Sequence, residues 1–179
     1  GPRARAITDP NLPGAIDFGA ISIVGNTLYF TTNNAAVPPG AGGTGDNADV
    51  YRWNGGSSYS RVLDATTAPT NLPNSGLATG PTNPNVDGLI WIDATHFYMS
   101  FSNTTTNVPG VRAVNDEDVV YFDGAWSIYF DGGAHGLRNK AAYDLDATSF
   151  AGGALPPAAP APGQDRFFST QLNTTPPGV

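Results

Sequence analysis

The chain has 179 residues, enough for one domain with a real core and short for two. Fifteen acidic residues against eight basic ones give a net charge of −7, and neither Lys nor Arg clusters into a stripe. That pattern excludes the phosphate-neutralising surface of a nucleic-acid binder and makes an anionic membrane a poor partner.

Glu117 is the single glutamate and Lys140 the single lysine, beside 22 glycines and 16 prolines, so the residues that fill helix surfaces are scarce and those that break helices abundant. An all-β protein is expected. With no cysteine, neither a disulfide framework nor a thiolate metal site can form. No run of about 18 apolar residues is present, so no membrane insertion is expected of this segment. Low Lys and Glu with abundant Asn, Thr, Gly and Pro leads us to expect a mature or excised piece of an extracellular or cell-surface protein, bacterial in character.

In chain order, residues 1–13 carry RARAITDPNLP, a faint match to SRVLDATTAPTNLPNSG at 60–76. A first unit spans about 16–73. It opens with IDFGAISIVGNTLYFTTNNAAVPPGA (16–41), which reads as Asp, apolar strand, turn, aromatic strand, Asn/Thr loop and Pro-Gly, and continues with NADVYRWNGGSSYSRVLD (47–64). A second unit, about 86–138, repeats that order in VDGLIWIDATHFYMSFSNTTTNVPGV (86–111) and DEDVVYFDGAWSIYFD (116–131). Asp49 aligns with Asp118, Asn54-Gly55 with Asp123-Gly124, Tyr59 with Trp126 and Asp64 with Asp131. Asn-Gly and Asp-Gly between alternating aromatic and β-branched runs predict two-residue primed turns, so each half-unit is a hairpin and each unit four strands.

A third unit, 144–179, begins at LDATSF (145–150), is interrupted by the Ala/Pro-rich AGGALPPAAPAPGQD, and resumes at RFFSTQLNTTPPGV. The insertion reads as an exposed loop of polyproline character. The expected whole is a single all-β domain of propeller-like four-stranded antiparallel repeats: two whole units plus a split third, with residues 1–13 joining the last. A β-sandwich or a trefoil-like barrel is the alternative. The third unit lacks a third strand, which suggests either a longer repeat protein or an edge completed by a neighbouring chain.

The order apolar strand, aromatic strand, long loop, then DVYRWNGGSSYS and DVVYFDGAWS, resembles the blades of kelch-like and WD-like β-propellers, closest to repeats of bacterial secreted or surface proteins. Kelch's double glycine after the second strand is replaced here by TTNN, FSNT and FSTQ.

Acidic residues recur at matching places. Asn115, Asp116 and Asp118, with Asp46 and Asp49 as first-unit equivalents, offer the carboxylate and amide oxygens that a hard cation such as Ca²⁺ takes. Asp87 and Asp146, at the start of first strands, join them if first and third strands begin at one rim. The order is not that of an EF-hand, and the same side chains serve equally as backbone caps in turns.

Trp91, Tyr121 and Tyr129 are the aromatics expected on an exposed face, where they would stack on sugars; the others, in repeated positions, read as core. His96 and His135 lack zinc spacing, no Gly-x-Ser-x-Gly elbow exists, and a single glutamate argues against a paired-carboxylate glycosidase. The expected function is a non-enzymatic extracellular structural or adhesive module, a self-assembling surface or filament subunit stabilised by Ca²⁺. Its partners would be itself, through an open edge at 165–179, or surface glycans. A lectin-like carbohydrate-binding module is one alternative. A fragment of a secreted hydrolase, losing activity on changing Asp116 or Asp118, is the other.

Overall fold

The computed structural model describes residues 16–66, 72–77, 83–137, 144–150 and 166–170. Alternating apolar and polar side chains make strands here because each strand buries one row against a neighbouring sheet. Strands β1 (Phe18–Val24), β2 (Thr27–Thr32), β3 (Asp49–Gly55) and β4 (Ser58–Asp64) form one antiparallel sheet in the order β1-β2-β3-β4. Strands β5 (Val86–Asp93), β6 (His96–Phe101), β7 (Val119–Phe122) and β8 (Trp126–Phe130) form a second in the same order. After a short 3-10 turn at Gly133–His135, β9 (Leu145–Phe150) and β10 (Arg166–Thr170) pair antiparallel as a third. The chain is all-β with four-stranded antiparallel repeats, as the internal self-similarity predicts. Residues 1–13 and the 151–165 insertion lie outside the described residues.

The sheets stack through their first strands, β1 on β5 and β5 on β9. Thr31 Oγ1 accepts from the Ala20 N–H and donates to the Val86 carbonyl, at 2.8 and 3.1 Å, which sets the start of β1 against the start of β5. Farther along, Ser22 Oγ accepts from the Trp91 N–H at 2.9 Å, so β1 and β5 run in the same direction. The next junction repeats the first. Ser100 Oγ donates to the Leu145 carbonyl at 3.0 Å as Thr31 does to Val86, and the Leu145 N–H reaches the Asp116 carbonyl at 3.1 Å as the Val86 N–H reaches that of Asn47. This propeller-like stacking aligns Thr31 with Ser100, Asn47 with Asp116 and Val86 with Leu145. No closed barrel is present among the described residues.

The main core lies between the first two sheets, where Ala20, Val50 and Leu63 meet Val86, Leu89, Trp91, Phe97 and Met99. Trp91 stacks on Tyr29 across that junction, with ring centroids 5.3 Å apart. Each large apolar side chain buried here stabilises the fold by about 1.5–3 kcal/mol. The opposite face of the second sheet, with Tyr98, Val119, Tyr121 and Tyr129, packs on Leu145.

Both predicted turns differ in detail. In the first hairpin Gly55 stays in β3 and the chain reverses at Gly56-Ser57, because two successive glycines at φ 101° and 56° move the reversal one residue on. In the second, Phe122 pairs with Trp126, and Asp123-Gly124-Ala125 form a three-residue loop closed by the Asp123 N–H on the Ala125 carbonyl at 3.2 Å.

Candidate functional site

Because β1, β3, β5, β7 and β9 all start at one rim of the stack, and the β2, β4, β6 and β8 strands end there, the acidic residues at those positions share that rim. In the first sheet, pairing places Asp49 opposite Asp64. The Asp46 N–H donates to Asp49 Oδ2 at 3.0 Å, fixing the turn that leads into β3. Asp46 itself accepts from the Ala48 N–H and from the Thr66 hydroxyl. Asp46, Asp49 and Asp64 each bring a carboxylate oxygen within 4.8 Å of the others, the single such group among the described residues.

A cation already stands against this group. Arg61, projecting from β4, holds Nη1 3.0 Å from Asp49 Oδ2 and 3.3 Å from Asp64 Oδ2. It also donates to the Thr44 carbonyl at 2.8 Å and the Gly42 carbonyl at 3.2 Å, which ties the 42–44 loop to the sheet. Gly43, at φ 78°, makes the room: a Cβ there would lie 1.9 Å from Arg61 Nη2. Burial pushes the Asp49 carboxyl up to about 6, against the opposing pull of its hydrogen bond from Asp46. The Tyr51 hydroxyl, which donates to Asp49 Oδ2 at 3.0 Å, is raised by burial and then by the Asp49 charge.

The second unit builds the same clamp from a different arginine. Asp118 Oδ2 accepts from the Asn115 N–H at 2.9 Å, as Asp49 does from Asp46, and Asp118 Oδ1 accepts from the Gly132 N–H at 3.0 Å. Arg112, in the loop between β6 and β7, bridges Asp118 and Asp131 at 3.0 and 3.1 Å. Its position in sequence does not correspond to Arg61, yet the guanidinium reaches the equivalent carboxylates. Asn115 stands where the first unit has Asp46, so each arginine grips two carboxylates and the first clamp has a third, Asp46, beside them.

Two further carboxyl pairs lie near the junction with the third sheet. Asp87, at the start of β5, accepts from the Ser100 hydroxyl at 2.8 Å and is pushed up to about 8, first by burial and then by the neighbouring Asp144. Glu117 is pushed up to about 7 by burial and by its hydrogen bond with Asp116. Two neighbouring carboxyls that are drawn out of water cannot both ionise at low cost, so each pair keeps a proton to higher pH than a lone carboxyl would.

The residues read from the sequence as cation ligands fall into four groups. Asp46 and Asp49 come together with Asp64; Asn115 and Asp118 with Asp131; Asp116 pairs with Glu117 and Asp87 with Asp144. Asp146 lies on β9, and its side chain is outside the described part of the structure. The oxygen-only donor set of the first group suits a hard cation such as Ca²⁺. The positive charge present there belongs to Arg61. Sequence comparison missed both arginines because they occupy unmatched positions; the signal was their nearness to acid-rich hairpins in a chain of eight basic residues.

The aromatic residues expected on an exposed face are buried. Trp91, 5% exposed, lies between Tyr29 and Phe97; Tyr121 stacks on Tyr98 at 4.4 Å; and Tyr129 meets Tyr98 edge-on at 4.8 Å. The second sheet is covered on both faces, by the first sheet and by β9, so alternation along its strands delivers each of these rings into a junction. Comparison with known proteins finds no matching family model, no similar curated protein and no similar solved structure.

Proposed function

We propose that this protein is a non-catalytic structural module of the extracellular or cell-surface space that acts by assembling with copies of itself. The observation that carries its structural, non-catalytic part is the repeated clamp: in both units the aspartates at the start of β3 or β7 and at the end of β4 or β8 are gripped by an arginine and by backbone N–H groups. Carboxylates held this way fasten loops to sheets. They are poorly disposed to move protons to or from a substrate, which requires a group within reach of a reacting atom. A Ca²⁺ ion at Asp46, Asp49 and Asp64 would have to displace Arg61, so on this reading the guanidinium is the working counter-charge. The extracellular placement rests on composition.

The test is the mass of the native particle by light scattering over a range of concentrations, with Ca²⁺ and then with a chelator. The reading expects a mass above that of one chain that rises with concentration and is indifferent to chelation. One-chain mass at every concentration would overturn it.

A further inference from the structure

The sheets meet in a directional way. In the first junction, the face of the first sheet carrying Ala20, Tyr29, Val50 and Leu63 receives the face of the second carrying Leu89, Trp91, Phe97 and Met99. The second sheet then turns its other face, with Tyr98, Val119 and Tyr121, to the third. The second sheet thus has an inserting face and a receiving face, and the two differ.

The first sheet has an inserting face as well. Strand pairing shows which residues form it: Ile21 pairs with Phe30 as Leu89 pairs with Met99, and Ile23 with Leu28 as Trp91 with Phe97. Ile21 and Ile23 are 54% and 70% exposed, where Leu89 and Trp91 are 3% and 5% exposed. Around them lies a ready-made apolar floor of Leu28, Phe30, Tyr51 and Tyr59, with Phe18 edge-on to Phe30 at 5.0 Å. Bare aliphatic residues over a packed aromatic layer, on a face that the next repeat buries, mark an unfilled junction.

We propose that this face of the first sheet is an assembly surface that takes the third sheet of a second copy of the chain, head to tail. The inference rests on the self-assembly reading above and names its surface. Continuity with the junctions inside the chain identifies the occupant. An inserting face is met by a receiving face, never by another inserting face, and the receiving faces of the first two sheets are already covered. Among the described sheets, the β9-β10 pair is the one that no following sheet meets. Repetition of the same step from chain to chain gives a heterologous contact, which closes into a ring or extends as a filament according to the rotation per step.

The chain contains no cysteine, so a single introduced thiol is an unambiguous probe. The experiment measures particle mass by light scattering for the wild type, Ile23→Asp, Ile21→Ser and Ile23→Cys, the last under oxidising conditions, with circular dichroism to confirm the fold of each. Ile23 faces water, so folding should survive the changes. The expected result is an assembled wild type, association weakened roughly tenfold to a hundredfold by Ile23→Asp, as loss of one buried aliphatic side chain implies, a smaller loss for Ile21→Ser, and no disulfide-linked dimer from Ile23→Cys. Wild-type assembly unaffected by either Ile21→Ser or Ile23→Asp would overturn the surface while leaving self-assembly standing. A disulfide-linked Ile23→Cys dimer would replace the head-to-tail contact by a symmetric one. A monomeric wild type would overturn both.

Discussion

Replacing Arg61 by methionine separates a structural clamp from a decorative ion pair, because the chain carries its own control in Arg112. The Arg61 side chain is 7% exposed, and its partners Asp49 and Asp64 are 0% and 7% exposed. Removing the guanidinium takes the positive charge away from two buried carboxylates and also frees the Thr44 and Gly42 carbonyls, and breaking a buried pair from one side costs about 3–5 kcal/mol. Arg112 and Asp131 are each 41% exposed, so water screens that half of the bridge, and the buried Asp118 keeps the Asn115 and Gly132 N–H groups as donors when the guanidinium goes. Arg112→Met should therefore cost about 1 kcal/mol, the upper end for solvent-accessible pairs. Urea unfolding of the two variants and the wild type gives both numbers, provided that the slopes agree. Adding Asp49→Asn to Arg61→Met should return part of the loss, since it removes one of the buried charges. The Arg61→Met penalty should also shrink at pH 5, where the Asp49 carboxyl, already raised to about 6, protonates. An Arg61→Met cost no larger than that of Arg112→Met would refute the reasoning.

The buried carboxyl pairs set the sign of the pH dependence. Burial pushes Asp87 from 3.8 up to about 8 and Glu117 from 4.5 up to about 7, so the folded state binds more protons between those limits and stability falls as pH rises from about 4 to about 8. Melting temperatures at pH 5, 6.5 and 8 should decline in that order, and Asp87→Asn should flatten the upper part of the decline; a melting temperature rising from pH 5 to pH 8 would contradict this. Gly43→Ala combines a left-handed φ of 78° with a Cβ placed on Arg61 Nη2, whereas Gly56→Ala meets nothing within 4 Å at φ 56°. Both should lose about 1–2 kcal/mol from backbone strain, and only Gly43→Ala should lose more by displacing the guanidinium, as urea unfolding will show.

The strands of both whole units follow from the alternation in VYRW and VVYF and from the recurrence of Asp49 and Asp64 at Asp118 and Asp131. Register was harder. The step from Asn54-Gly55 to Gly56-Ser57 turns on a second glycine, and a two-residue rule does not see that either neighbour can reverse the chain. Burial of Trp91, Tyr121 and Tyr129 depends on a sheet lying on each face of the second, which alternation within a strand does not reveal. The clamps illustrate a deeper limit. Aligned repeats match like with like, whereas an ion pair needs only that a charge arrive; Arg61 comes from β4 and Arg112 from a loop, and both reach the same place. Acidic spacing of the kind seen at Asp46 and Asp49 looks the same whether calcium or a guanidinium supplies the positive charge.

The central claim is that the first sheet presents an unfilled copy of the junction that the second sheet fills. Paramagnetic solvent relaxation of the side-chain methyls of Ile21, Ile23 and Leu89, read in dilute and then concentrated protein, tests it at the residues concerned. The account predicts strong relaxation of Ile21 and Ile23 when dilute, falling toward that of Leu89 as copies associate, with Leu89 protected throughout. Ile21 and Ile23 as protected as Leu89 in the dilute chain, or equally exposed at every concentration, would contradict it.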